Sequence, residues 1–478
     1  MNPSQSKNRW IASLCSFLLH LALLLVLAIW TVVGVGIGSK LTIYSGQEST
    51  QSDAVETVEL STEKDLQDSS ANSSPSSLTT TTIASNDSSV LDPRTNVDTS
   101  PQASLTDMIH LSGAATPQLA TGFVELSVDS RTATNRPIAA VKHGATPASE
   151  KAVEMALAYL ARHQKNNGSW SLGIEVCQGE CTDGCEELDR HEIAGTGLAL
   201  LCFLGAGHTM NQGEYSDHVS KGIYFLLQTM QFKPDGQGYW LTEVAHAQMY
   251  EHGMATLALC EALQMTGDTS LRGACEAAVK FIFAAQHTDG GWNYHPKGPG
   301  DLSIVGWQML ALKSASAAKI PVPYEVLRGC DKFLESQSAQ GYMYKYRKQS
   351  VSDSMTAIGN LIRLFRGWSP TDGAILRAQS HLAKAAPSID DVYFNYYATQ
   401  FMFHLGGPRW QNWNAVMREL LINSQVKQGH MSGSWFFEHD PFNRKGGRLY
   451  VTAMCCLTLE VYYRCLPVYE NSSEEFRF

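Results

Sequence analysis

Charged side chains are absent from a long stretch near the N-terminus of this 478-residue chain. Residues 11–38 contain no Asp, Glu, Lys or Arg and are mostly apolar. About 20 apolar residues in a helix are enough to cross the hydrocarbon core of a bilayer, and this run is longer. We therefore expect residues 11–38 to form a transmembrane anchor that follows a short N-terminus, residues 1–10.

Basic residues are also missing from the segment that follows the apolar run. Lys7 and Arg9 precede the run, whereas Lys40 is the only basic residue between its end and Lys64. Because basic residues favour the cytoplasmic side, we expect a single-pass membrane protein with a cytoplasmic N-terminus and an extracytoplasmic remainder. A cleaved signal peptide is the alternative, although its apolar region usually spans only about 7–15 residues. Whether the segment is cleaved stays open.

Apolar side chains are scarce in the next segment, residues 39–145, which is rich in Ser and Thr. Thirteen acidic and four basic residues lie between positions 45 and 140, so this stretch carries nearly all of the net charge of −10. Such a composition cannot bury enough apolar surface to become ordered, and we predict a disordered linker. The rest of the chain is close to neutral, which argues against a nucleic-acid-binding protein.

A repeated pattern dominates the chain after residue 150. A helical stretch ends in Gln, a turn closes on Gly and an aromatic residue, and an apolar stretch rich in Ala and Leu follows. The pattern occurs as Gln164…Gly168-Ser169-Trp170, Gln228…Gly238-Tyr239-Trp240, Gln286…Gly290-Gly291-Trp292, Gln337…Gly341-Tyr342 and Gln425…Gly433-Ser434-Trp435. Repetition of this kind indicates stacked supersecondary units that bury their apolar faces against one another.

Each repeat combines two kinds of predicted helix. The first has an apolar stripe at positions i, i+4 and i+7, as in Val153, Leu157 and Leu160. The second is apolar nearly all round, as in residues 196–201, and such helices are buried. The predicted pairs, outer helix first, are 150–165/192–207, 215–230/250–266, 271–286/302–317, 323–337/353–366, 373–385/391–405 and 411–425/449–465. Six hairpins predict an all-α fold, an (α/α)6 toroid over residues 146–466, followed by a tail at 467–478.

The repeat resembles that of the squalene cyclase and protein prenyltransferase superfamily, whose domains are (α/α)6 barrels. More narrowly, four strings are similar to planctomycete membrane-anchored proteins with prenyltransferase/squalene-oxidase repeats. They are Thr196–Thr209, Asn395–Gln400, Gly433–Glu438 and Gly446–Tyr450. The resemblance implies a structural role for the repeat residues, with the Gln amide bonded to backbone at an inner-helix end and the Trp packed over it. These residues are Gln164, Trp170, Trp240, Gln286, Trp292, Gln425 and Trp435.

The catalytic motifs that the resemblance implies are incomplete. Zinc prenyltransferases use Asp-x-Cys and a later His, but Ser303 stands in place of the Cys after Asp301, and residues 391–395 contain no His. We therefore predict no cofactor. Cyclases use the middle acid of Asp-x-Asp-Asp, and the nearest match is Ser388-Ile389-Asp390-Asp391. Asp390 is the candidate acid, and Asp391 is either its partner or an ordinary helix cap.

Other polar and aromatic residues lie near the starts of inner helices and form a candidate rim. The candidates are His191, Glu192, Glu251, His252, Asp301, Asp353, Tyr393, Asn395, Tyr397, Arg448 and Tyr450. They form an acid–base site of glycosidase type if paired carboxylates lie about 5–10 Å apart. Satisfied polar residues and core aromatics are the alternative interpretation.

Three cysteines, Cys177, Cys181 and Cys185, precede His191 in a glycine-containing loop. In an oxidising compartment a disulfide with one remaining thiol is the expected state. A zinc site made of the three thiols and His191 is the weaker alternative, because the spacing is unusual.

Three functional hypotheses follow from these patterns. The first is a binding domain held at the outer face of the membrane, with an apolar or glycan ligand in the toroid. The second is a terpenoid-cyclase-like enzyme that uses Asp390, and the third is a carbohydrate-active enzyme that uses rim carboxylates. The oligomeric state is left open.

Overall fold

The computed structural model describes residues 123, 129–173, 191–242, 247–346, 350–441 and 443–465. All of them belong to one compact unit, residues 100–478. The expected anchor at 11–38, most of the expected linker, the three clustered cysteines and the tail lie outside the described residues. Within the described part, no helix has both the length and the apolar character needed to cross a membrane.

The described residues form fourteen α-helices and two short β-hairpins. The helices are α1 Arg136–His143, α2 Pro147–Arg162, α3 Glu192–Gly205, α4 Ser216–Thr229, α5 Gln248–Thr266, α6 Arg272–Ala285, α7 Leu302–Ala317, α8 Tyr324–Gln337, α9 Asp353–Phe365, α10 Gly373–Ala385, α11 Val392–Leu405, α12 Gly407–Ser424, α13 Asn443–Leu459 and α14 Val461–Arg464. Strand β1, Gln231–Phe232, pairs antiparallel with β2, Gly238–Tyr239, and β3, Ser338–Ala339, pairs antiparallel with β4, Met343–Tyr344. The described part of the chain is therefore mostly helical, as the repeat pattern predicts.

The apolar helices α3, α5, α7, α9, α11 and α13 form the inside of the domain. Each packs against the next one in chain order, and α13 packs against α3. In α3 every residue from Ile193 to Gly205 is buried. Close packing of α3 against α5 depends on Gly197, where a Cβ atom would lie 2.9 Å from the carbonyl carbon of Met254 on α5.

The amphipathic helices α2, α4, α6, α8, α10 and α12 each pack against an inner helix. Each buries one face only. In α8, for example, the buried residues are Val326, Leu327, Cys330, Phe333 and Leu334. An outer layer of amphipathic helices around buried inner helices is consistent with an α/α toroid.

The repeat residues connect neighbouring elements through backbone hydrogen bonds. Each repeat Trp donates its indole N–H to a carbonyl of the preceding outer helix: Trp170 to Leu160, Trp240 to Leu226, Trp292 to Ile282 and Trp435 to Leu421, at 2.7–2.9 Å. This agrees with a structural role for the tryptophans.

The Gln amides take a different partner from the one that the resemblance implies. Each Nε2 donates to the Gly carbonyl of its own turn and to a carbonyl near the start of an outer helix, not an inner one. The second acceptors are His218 for Gln164, Val326 for Gln286 and Ala152 for Gln425. The amide therefore joins successive outer helices, and Gln425 joins α12 to α2.

Residues 129–145 differ from the expected disordered linker. They contain a single 3-10 turn, Asp129–Arg131, and helix α1, which packs against α14. Arg131 is buried, and its Nη1 lies 2.8 Å from Glu261 Oε2 while its Nη2 donates to the Arg464 carbonyl at 3.0 Å. The composition of residues 129–145 could not reveal that they are ordered, because Arg131 is held by Glu261 and Arg464, which are distant in sequence.

Candidate functional site

Four tyrosines from three inner helices come together near the starts of those helices, and we call Tyr250, Tyr393, Tyr397 and Tyr450 the tyrosine cluster. Tyr250 Oη donates to Ser303 Oγ at 2.7 Å, and Tyr393 Oη donates to the Ser303 carbonyl at 3.0 Å. The ring centroids of Tyr393 and Tyr397 are 5.0 Å apart in an edge-to-face arrangement. Helices α5, α7 and α11 therefore contribute to one hydrogen-bonded group.

Burial controls the protonation of the tyrosine cluster. It raises the pKa of all four hydroxyls well above the usual value. For Tyr450 the negative charges of Asp440 and Asp391 raise the pKa further, and Tyr250 and Tyr397 contribute as well. The four hydroxyls are therefore neutral groups that can both donate and accept hydrogen bonds.

Glu251 and His191 form a buried carboxylate–imidazole pair. Glu251 is fully buried on α5, and its Oε1 lies 2.6 Å from His191 Nδ1 and accepts a second bond from Thr242 Oγ1 at 3.3 Å. Its Oε2 is buried without a partner among the described residues. A carboxylate on one ring nitrogen fixes the tautomer and orientation of a histidine, which is a requirement of acid–base chemistry. The structure thus brings together two residues that the sequence placed at different helix starts.

The neighbours of this pair, Glu192 and His252, have other contacts. Glu192 forms an ion pair with Lys165. His252 Nε2 lies 3.1 Å from the Ala278 carbonyl on α6, and its ring packs against Phe281. Burial lowers the pKa of His252 to about 3, so the imidazole is neutral. These contacts give both residues a structural role.

Asp391 caps helix α11. Its Oδ1 accepts the Phe394 N–H at 2.7 Å and its Oδ2 accepts Ser354 Oγ at 3.0 Å. Burial, and to a lesser degree the charge of Asp353, raises the pKa of the Asp391 carboxyl. Asp353 itself binds His381, with 2.7 Å between Oδ1 and Nε2.

Asp390 lies in a different environment from the acid of a cyclase. It is exposed, and its carboxylate accepts a hydrogen bond from Ser388 Oγ at 3.0 Å. Asn395 holds the same loop, because its amide bonds both the N–H and the carbonyl of Ser388. A cyclase acid needs burial to remain protonated, and Asp390 does not have it.

Asp301 and Ser303 occupy the segment that corresponds to the zinc-binding Asp-x-Cys motif. Asp301 is fully buried and caps α7, with Oδ1 accepting from Ser303 N at 3.0 Å and from Ser303 Oγ at 2.6 Å. The serine that replaces the cysteine therefore links Asp301 to Tyr250. This hydrogen-bonded chain is part of the tyrosine cluster, and it contains no thiolate.

Arg448 begins the regular part of α13, directly after the positive φ of Gly447 (64°). Its Nη1 donates to Ser434 Oγ at 2.8 Å, and its guanidinium lies 5.0 Å from the centroid of the Phe436 ring. Arg448 thus connects the Gly-aromatic turn of the last repeat to α13. Tyr450 follows two residues later and joins the tyrosine cluster.

The cysteine cluster lies outside the described residues, so its pairing stays a prediction. Among the residues that the structure describes, no three His, Cys, Asp or Glu side chains are placed to hold a metal ion. Seven cysteines of the described residues are free and buried, as expected for small hydrophobic side chains. Four lie on the inner helices α3, α5 and α13, two lie on the buried faces of the outer helices α6 and α8, and Cys465 follows α14.

Three residues of the site were not predicted from the sequence. Ser303 is the residue that stands where the zinc motif has a cysteine, and Tyr250 directly precedes the candidate residues Glu251 and His252. Asp440 is buried and accepts the Val392 N–H at 2.7 Å, so it supports the start of α11 from a distant loop. The one feature of the sequence that pointed to any of these three residues is the position of Tyr250 directly before the candidates Glu251 and His252.

Comparisons with known proteins give distant structural likenesses. No protein-family model matches the sequence, and no curated protein sequence matches it. A variant of a type II terpene cyclase from Scytonema, in complex with geranylgeranyl dihydroxybenzoate, aligns with a TM-score of 0.44 and 11% identity over 66% of this chain and 97% of its own. A GH76 alpha-mannanase from Bacteroides thetaiotaomicron gives 0.48 and 12% over 70% and 99%, and an alpha-1,6-mannanase from Salegentibacter gives 0.46 and 8% over 66% and 99%. At these TM-scores the likenesses assign neither an activity nor a ligand to this protein.

Proposed function

We propose that this protein is a membrane-anchored binding protein whose toroid holds a glycan outside the cytoplasm. The proposal includes an (α/α)6 toroid of six hairpins, a transmembrane helix at 11–38, and membership in the planctomycete group that the four sequence strings resemble. Support for the six hairpins comes from the six outer and inner helix pairs and from the contact of α13 with α3.

The observation that carries the proposal is the tyrosine cluster with its nearby carboxylates. Binding sites combine aromatic surfaces with a few convergent polar groups. Tyr397 Oη is buried beside the Tyr393 hydroxyl and makes no other hydrogen bond among the described residues. A purely apolar ligand would leave the remaining hydrogen-bonding capacity of this hydroxyl unused, whereas the hydroxyl groups of a sugar can satisfy it. This difference favours a glycan over an apolar ligand.

The test is native mass spectrometry of the full-length chain, extracted in detergent from the cells that produce it. We expect a retained mass that corresponds to a glycan. Changing Tyr250 and Tyr450 together to Phe removes two hydroxyls and should abolish retention, whereas the same change at Tyr224, which is exposed on α4, should have no effect. A retained lipid would contradict the glycan, and an empty wild-type protein would contradict binding.

The membrane topology is tested separately. Deletion of residues 11–38 should move the protein from the membrane fraction to the soluble fraction. Protease added to intact cells should cleave the linker of the undeleted chain, since we place it outside the cytoplasm. In that compartment two of the cysteines 177, 181 and 185 should be oxidised to a disulfide. Full protection from protease would contradict the topology.

A glycan-cleaving enzyme is the second candidate, because Glu251 and His191 form the orienting pair that acid–base chemistry uses. Under this hypothesis Glu251→Gln abolishes release of sugar while the glycan remains bound. Retention without release in the wild type would support the binding protein instead. The cyclase alternative lacks support at Asp390, whose carboxyl is exposed.

A further inference from the structure

A pocket lies at the end of α3 opposite its start, away from the tyrosine cluster. It is formed by Arg131, α1, the start of α2 and the turn 206–213, and we call it the α1 pocket. We propose that the α1 pocket binds a small neutral molecule that has an apolar body and a hydroxyl or amide group. This inference stands independently of the proposed glycan site.

The size and walls of the α1 pocket suit a small molecule. Its volume is about 610 Å³, within the range of about 300–1,000 Å³ that is typical of ligand pockets. Alanine, proline and valine side chains between positions 133 and 147 form most of the wall, together with Ala206. Val141 lies at its edge and is 75% exposed. Such walls favour an apolar ligand body.

Unpartnered polar atoms in the same pocket indicate what else the ligand carries. Arg131 Nε, Glu150 Oε1 and both ring nitrogens of His208 are buried and have no hydrogen-bond partner among the described residues. Buried polar groups are nearly always paired in folded proteins. Four such atoms from three residues that line one pocket therefore point to a bound molecule that pairs with them.

Each arginine that lines the α1 pocket already has a carboxylate partner. Arg136 Nη2 lies 3.1 Å from Glu150 Oε2, and Arg131 Nη1 lies 2.8 Å from Glu261 Oε2, a carboxylate that Arg464 also contacts. Burial, followed by the charge of Arg136, lowers the pKa of His208 to about 4, so its ring is neutral. A charged ligand would lose its hydration in a pocket whose walls are mostly apolar, and this loss costs free energy.

The unpaired polar atoms of the α1 pocket include both hydrogen-bond donors and hydrogen-bond acceptors. Arg131 Nε donates, Glu150 Oε1 accepts, and neutral His208 has one donor and one acceptor nitrogen. A hydroxyl or an amide supplies a donor and an acceptor at once, and therefore fits all three residues. An ester or ether supplies only acceptors and would leave Glu150 Oε1 unpaired.

The backbone places His208 in this position. Gly213 has a φ of 94°, and a Cβ atom there would lie 2.2 Å from His208 Nδ1. The His208 ring also packs edge-to-face on Tyr215, with 5.0 Å between the ring centroids. Only a glycine at 213 allows the ring to lie in the pocket wall.

The test uses benzamide as the neutral amide probe, with sodium benzoate and toluene for comparison. Binding to the full-length chain is measured by ligand-observed NMR, and isotope-labelled histidine reports contact with His208. We expect benzamide to bind at least tenfold more tightly than benzoate and to shift the His208 signal. Equal binding of benzoate, or no shift of His208, would overturn the proposal.

Two variants and a matched control localise the probe. Val141→Trp narrows the mouth of the pocket and should weaken benzamide binding at least tenfold. Ile138→Trp is the control, because Ile138 is exposed on the same helix and does not line the pocket. His208→Phe keeps the ring but removes both nitrogens, and should reduce the preference for benzamide over toluene. Unchanged binding in both pocket variants would show that the probe binds elsewhere and would overturn the proposal.

Discussion

At the scale of single residues, the repeat tryptophans stabilise the turns through their indole N–H groups. Trp292 is fully buried and donates to the Ile282 carbonyl at 2.8 Å. Trp292→Phe leaves that carbonyl unpaired and should lower the free energy of unfolding by about 1–3 kcal/mol. Urea denaturation measures the loss. The control is Trp368→Phe, because Trp368 is only half-buried. If Trp292→Phe lowers the free energy of unfolding no more than Trp368→Phe does, the stabilising role of the indole N–H is contradicted.

Buried histidines should make stability depend on pH. The pKa of His252 is about 3 in the folded protein and near 6.5 in an unfolded chain. The unfolded state then binds the proton first, so stability is complete above pH 6.5 and is lost as the pH falls towards 3. His252→Gln should flatten this loss in urea unfolding measured at several pH values. The same change at half-exposed His381 should retain it, and identical profiles would contradict the assignment.

At the scale of helices, Gln425 should join the last outer helix to the first. Its Nε2 donates to the Ala152 carbonyl on α2 at 2.8 Å and to the Gly433 carbonyl at 3.0 Å. Gln425→Ala should cost about 2–4 kcal/mol, since two acceptors lose a donor. Hydrogen exchange should then increase in α2 although the substitution lies after α12.

The matched control for Gln425 is another residue of the repeat. Gln228 holds the corresponding position but is exposed, so Gln228→Ala should change neither the stability nor the exchange of neighbouring helices. Exchange that rises only near position 425 would show that the amide stabilises its own turn and not the contact between α12 and α2.

At the scale of the whole domain, one buried carboxylate holds two distant parts of the chain together. Glu261 on α5 binds Arg131 at 2.8 Å and Arg464 at 2.7 Å, and these arginines lie 333 positions apart. Their positive charges outweigh the cost of burial and lower the pKa of Glu261. The network therefore anchors the segment before α1 and the short helix α14 to the inner helices.

Loss of this carboxylate should destabilise the whole domain. Glu261→Gln leaves two buried guanidinium groups without their counter-charge, and should cost about 3–5 kcal/mol of unfolding free energy. The single cooperative transition in urea should shift to lower denaturant. Glu276→Gln removes an exposed carboxylate that pairs with Arg272 and serves as the control, with a change close to zero. Equal shifts in the two variants would contradict the anchoring role.

The sequence predicted the helices better than it predicted which side chains contact one another. Eleven of the twelve predicted helices match helices of the structure to within four residues, because apolar spacing is a local property of the chain. The exception is the last inner helix, predicted at 449–465, which spans Asn443–Leu459 and is followed by the separate helix α14. The repeat also marked Trp170, Trp240, Trp292 and Trp435, and the structure shows that their indole N–H groups bond helix carbonyls. The candidate site was predicted only as a set of residues near helix starts, of which Glu192, His252 and Asp390 have contacts that separate them from the tyrosine cluster.

The sequence by itself determined the alternation of amphipathic and apolar helices and the turns that separate them. Only the tertiary structure decided which helix ends meet. His191 and Glu251 pair across 60 positions, and Gln425 reaches Ala152 across 273. Each pairing depends on the packing of whole helices, and periodicity within one helix carries no information about the register of another. Both the candidate glycan site and the α1 pocket are products of that packing.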